Sequence, residues 1–91
     1  MSWANRQVAA ARRLTAAAGW HEDLDAYVWE PAGSWDAPSD QRVRLVFTGS
    51  EHTRGADRKL AWELHVGGRT EFVGKLEAAF VLAEVRRGGV S

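Results

Sequence analysis

With 12 Lys and Arg against 12 Asp and Glu in 91 residues, the chain has no formal net charge and no global field with which to draw in nucleic acid. Its length suits a single domain, residues 1–91, and a 45% hydrophobic, 26% charged composition excludes the regime in which chains stay disordered. Without cysteine there is no disulfide framework and no thiolate zinc site, and the polar start MSWANRQV, with no long apolar run after it, reads as a soluble cytoplasmic protein lacking a signal peptide or membrane span.

The bias against isoleucine and toward Ala, Arg, Gly and Trp looks like codon usage in a high-GC bacterium or its phage. Charge is unevenly placed. Arg6, Arg12 and Arg13 open the chain without an acid. Residues 21–41 then carry Glu22, Asp23, Asp25, Glu30, Asp36 and Asp40 without Lys or Arg, and Arg42, Arg44, Arg54, Arg58 and Lys59 follow. A dipolar surface is expected, able to steer a charged partner over about 10 Å at moderate salt.

The first predicted element is a helix over residues 3–18, with Ser2 as N-cap and Gly19 at its exit. Trp3, Ala4, Val8, Ala11, Leu14 and Ala18 gather on one face at helical spacing, with the arginines opposite. HEDLD at 21–25 reads as an acidic connection. Its imidazole and carboxylates match no established metal-site spacing, so no metal is assigned.

Strand signals follow at 24–30, 42–48 and 59–66. In the first, Tyr27 and Trp29 share one face and Leu24, Ala26 and Val28 the other. Bulk favours the aromatics inside. Facing outward, they would join Arg42, Arg44, His65 and Arg69 in a platform suited to base stacking or to a protein hot spot. Val43, Leu45 and Phe47 point inward from the second strand, and Leu60, Trp62, Leu64 and Val66 from the third.

Between 31 and 41, Pro31, Gly33, Ser34 and Pro38 bracket Trp35 in a loop that cannot bury an indole by itself. Either Trp35 folds back over a core edge, or, rimmed by Asp36 and Asp40, it anchors a partner. After the third strand, a three-residue Val66-Gly67-Gly68 loop would keep Phe72 on the inner face, where a two-residue loop would turn it out.

The last predicted element is a helix over 74–87, stopped by Gly88 and Gly89, with Arg86 and Arg87 near the negative end of its dipole. Leu76, Ala79, Phe80 and Ala83 form its core stripe. Ala78, Val81, Leu82 and Val85 form a second apolar stripe, covered either by the first helix lying alongside or by a homodimer or other partner.

The chain thus reads as α+β: a two-layer sandwich with an antiparallel sheet of three to four strands and both terminal helices on one face, in the order α-β-β-β(-β)-α. That order resembles the double-stranded RNA-binding domain in outline, although GKLEAAF offers only Lys75, followed by Glu77, where that family clusters lysines. WELHVGGRTEFVGKLEAAF is likewise similar to the AP2-type DNA-binding domain, but Glu63 and Glu71 stand where a DNA-facing sheet would need cations. Neither resemblance places the chain in a family.

No catalytic residues or cofactor are assigned. His52 and His65 have no nucleophile or carboxylate whose proximity the sequence guarantees, and no glycine-rich loop leads into a helix with a Lys-Ser or Lys-Thr pair. The expected function is a small protein-binding or regulatory module, not an enzyme, with partner contacts through Trp29, Trp35, Asp36, Arg42, Arg44, His65 and Arg69. Ala78, Val81, Leu82 and Val85 serve a dimer or helix interface. The alternative is a nucleic-acid binder using the outer sheet face and the 49–59 loop. The interspersed Glu51, Asp57, Glu63 and Glu71 disfavour it.

Overall fold

The computed structural model describes residues 2–88, the side chains of Trp35 and Gly88 excepted. Helix α1 (Trp3–Ala17) begins where the sequence places it: the Asn5 N–H donates to Ser2 Oγ at 3.1 Å. Gly19, at φ 76°, lets the chain leave the helix and turn back. Ala11 is fully buried and Trp3, Ala4, Val8, Leu14 and Ala18 pack around it. Thr15 joins them inside because its hydroxyl donates to the Ala11 carbonyl at 2.8 Å, which removes the cost of burying it.

Five antiparallel strands follow as a meander in the order β1-β2-β3-β4-β5, one more than the sequence patterning suggested. They are β1 (Trp20–Asp23), β2 (Val28–Pro31), β3 (Val43–Phe47), β4 (Trp62–Val66) and β5 (Arg69–Gly74). The expected strand over 24–30 is instead a turn and half a hairpin. Asp23 Oδ1 accepts the N–H groups of Asp25 and Ala26 at 3.2 and 3.3 Å, and Tyr27 adopts φ 54°, so the chain reverses at 24–27. The acidic connection HEDLD is therefore mostly strand. Leu24 and Tyr27 are exposed on the turn that ends it.

Parity is restored at the other hairpin by a different device from the expected three-residue loop. Gly67 and Gly68, at φ 62° and 80°, make a two-residue turn between paired Val66 and Arg69. His65 then pairs with Thr70 but Leu64 with Phe72, so Glu71 is an extra residue. This bulge returns Phe72 to the helix side. It also turns Glu71 that way, and its carboxylate takes the Arg86 guanidinium at 2.9 Å.

One face of the sheet carries Trp20, Trp29, Val43, Leu45, Phe47, Trp62 and Leu64, all in the core with Leu76, Ala79 and Ala83 of α2 (Leu76–Gly88). Trp62 lies 5.3 Å from Trp29 and 4.8 Å from Phe47, ring centre to ring centre. Each such side chain contributes about 1.5–3 kcal/mol through burial. Each buried indole N–H also finds an oxygen: Trp62 donates to Gln7 at 2.8 Å, Trp29 to Glu22 at 3.1 Å, and Trp20 to Glu84. Leu60, expected inside, is exposed, because β4 starts only at Trp62 and residues 55–60 form a 3-10 segment. No helix among the described residues is long and apolar enough to cross a membrane.

Candidate functional site

The loop from Pro31 to Gln41 is held by its ends rather than by its own core. Pro31 is buried, and Gly33 at φ 84° starts a 3-10 turn over Ser34–Asp36; a second turn spans Ser39–Gln41. Ser34 Oγ donates to the Val43 carbonyl at 3.4 Å, and the Gly67 N–H donates to the Arg42 carbonyl at 2.9 Å. The loop is thereby propped over one end of the sheet, beside the β4–β5 turn.

The two helices cover the rest of that sheet face but leave this end open. A groove of about 730 Å³ remains between the loop, the β4–β5 hairpin and the last turns of α2. Pro31, Val43 and Val66 contribute its sheet side, and Leu82 and Val85 its helix side. Arg69, Arg86 and Arg87 line it with Glu71, which is already matched to Arg86, while Asp40 stands on the loop. Arg87 is tied back to the Ala18 carbonyl at 2.9 Å and to Glu84 at 3.3 Å. The groove thus combines an apolar floor with charged margins.

The groove unites features that looked separate in the sequence. Arg69 was expected beside Arg42, Arg44 and His65 on the outer sheet face. It pairs instead with Val66 on the helix side and lines the groove. Leu82 and Val85 line it from the second stripe of α2. Ala78 and Val81 lie exposed beyond it, Val81 by 62%, so α1 does not cover this stripe. Asp36 is exposed in the loop, and the indole of Trp35 lies outside the described residues.

Trp29 is a correction. It is fully buried on the helix side, against Trp62 and bonded to Glu22, and is unavailable to a partner. The outer face carries Val28 and Glu30 in place of the aromatics. Arg42 Nη2 reaches both Glu30 oxygens, at 3.1 and 3.0 Å, and Arg44 Nε lies 3.1 Å from Oε1, off the hydrogen-bond direction. Glu30 is buried beneath them. The two arginines that would have greeted a phosphate backbone are therefore spent largely on an internal acid.

His65 Nε2 lies 2.8 Å from Glu63 Oε1 and 3.4 Å from Thr70 Oγ1. Both neighbours meet the same ring nitrogen, so this cluster lacks the relay through two nitrogens by which a histidine activates a hydroxyl. His52 is exposed in its loop. HEDLD is split between β1 and the turn, and no group of three or more potential metal ligands forms among the described residues.

Sequence reasoning passed over the three acceptors that seat the tryptophans. Gln7 and Glu84 look like solvated helix positions, and Glu22, grouped with the acidic cluster, bonds Trp29 and pairs with Arg12 at 3.3 Å. The available signal was the surplus of indoles itself, since each buried N–H must find an oxygen. No family model, curated protein or solved structure matches this chain.

Proposed function

We propose that this chain is a small protein-binding module whose docking site is the groove between the 31–41 loop and the end of α2. One observation carries the reading: an apolar floor left open over the core, with Val85 58% exposed beside it and arginines along its margin. Buried apolar contacts at the centre with charge at the rim are the usual anatomy of a protein interface. The zero net charge and the Glu30 clamp on Arg42 and Arg44 support a protein partner over a nucleic acid.

Tagged wild-type protein and three variants, exposed to lysate of the source cell, test this. Val85→Glu and Arg69→Glu should lose a partner that wild type and the outer-face variant Arg44→Glu both retain. Loss with Arg44→Glu alone would move the site to the outer face.

A further inference from the structure

The chemistry complementary to the groove is present on the same molecule, at its other end. The β1–β2 turn displays Leu24 and Tyr27, 40% and 48% exposed, and carries the exposed Asp23 and Asp25 on either side of Leu24. Tyr27 holds φ 54°, a left-handed conformation costing a residue with a Cβ about 1 kcal/mol, and yet half of its ring faces solvent. The left-handed residue closes the four-residue turn that joins paired Asp23 and Val28. The other half of the ring leans edge-on to Phe47 at 6.2 Å, and Asp23 fixes the turn from within, so both apolar side chains are presented on a preorganised support.

Placement matters as much as chemistry. The Tyr27 carbonyl accepts the Phe47 N–H at 3.0 Å, so the turn stands at the Phe47 end of β3, whereas the groove is lined by Val43 at the opposite end. About 13 Å of strand separates the two. A molecule cannot fill its own groove, but its turn can reach a neighbour's.

We propose that the groove takes the Leu24–Tyr27 turn of a second copy in a head-to-tail contact. Leu24 and Tyr27 enter the apolar floor, and Asp23 and Asp25 face Arg69, which has no acidic partner among the described residues, whereas Arg86 and Arg87 are matched to Glu71 and Glu84. The inference rests on the groove being a protein-docking site and names its occupant. Because turn and groove are different surfaces, the contact is heterologous and propagates into short chains or a ring, unlike a two-fold pairing of α2 stripes.

Sedimentation from low micromolar to near-millimolar concentration is the test. Wild type should grow past dimer and shrink again with added salt. A turn variant, Leu24→Ser with Tyr27→Asn, and a groove variant, Val85→Glu, should each remain monomeric while melting as folded proteins. Mixed one to one they should form a dimer that grows no further, each supplying the surface the other lacks. Arg69→Glu, whose exposed side chain leaves the core untouched, should weaken assembly at least tenfold, while Val81→Glu, outside the groove, should assemble as wild type does. A wild type that stays monomeric, or a dimer that Val81→Glu dissociates and mixing does not restore, would overturn the proposal. If wild type is monomeric but Val85→Glu still abolishes partner capture, the head-to-tail contact falls and the docking groove stands. If both fail, both fall.

Discussion

Gly67 and Gly68 provide a matched pair for testing how the β4–β5 turn is seated against the loop. Both have positive φ, 62° and 80°, so alanine at either incurs the left-handed penalty. That penalty is about 1–2 kcal/mol, partly offset by roughly 0.5 kcal/mol from a stiffer unfolded chain. Their surroundings differ. A Cβ on Gly68 would meet open space, whereas one on Gly67 would collide with the Asp40 carbonyl oxygen and sit 2.9 Å from its Cα. The obstacle is backbone, so relief requires the 38–41 segment to move, at a further cost of about 1–3 kcal/mol. Gly68→Ala should therefore cost about 1 kcal/mol and Gly67→Ala about 2–4 kcal/mol. In a domain of this size that separates their melting temperatures by roughly 4 °C or more. Thermal and urea denaturation of the two variants measure it. Equal destabilisation would refute the close approach of hairpin and loop, and with it the wall that ends the groove.

Three other predictions bear on the core and surface. Gln7→Leu should cost about 1–3 kcal/mol in urea unfolding, because the buried Trp62 N–H loses its acceptor, whereas Gln7→Glu should cost less. Glu30→Ala should destabilise by about 1–3 kcal/mol, more at low salt than at high, since it leaves Arg42 and Arg44 side by side over a vacated site; a salt-independent loss would argue against the clamp. Val81→Glu should change the melting temperature by only a few degrees, its side chain being largely in water, and an unfolded variant would show that this stripe is internal core.

The elements governed by local rules were legible in the sequence. The Ser2 cap, the Gly19 exit and the alternation of Val43, Leu45 and Phe47 each follow from a few neighbouring residues, and each is found where expected. The first hairpin was not legible. WHED buries one indole and shows no apolar alternation, and the side-chain turn made by Asp23 outweighed the strand-like look of LDAYVWE. The bulge at Glu71 was hidden for a related reason: a two-residue turn and a one-residue insertion cancel, so Phe72 alone cannot distinguish them from a longer loop. Of the candidate site, Arg69, Leu82 and Val85 are legible in the sequence, but as parts of two separate surfaces, the outer sheet face and the second stripe of α2. They line one groove only because the β4–β5 hairpin, the last turns of α2 and the 31–41 loop come together at one end of the sheet, a non-local arrangement that periodicity does not encode. Trp29 is in the core, as its bulk favours; a strand taken to start at Leu24 rather than Val28 gives Leu24, Ala26 and Val28 an equal claim to that face and so keeps Trp29 among the candidates.

The docking groove itself is tested most directly by amide hydrogen exchange of the protein alone and saturated with a captured partner. Protection should rise at Ala32–Gln41, at Val66–Arg69 and over Leu82–Arg87, the three segments that bound the groove, while β1 and the outer face of β2 and β3 stay unchanged. Protection concentrated on Arg42, Arg44 and His65, with the 32–41 loop and the end of α2 unaffected, would contradict the account and place the partner on the outer sheet face.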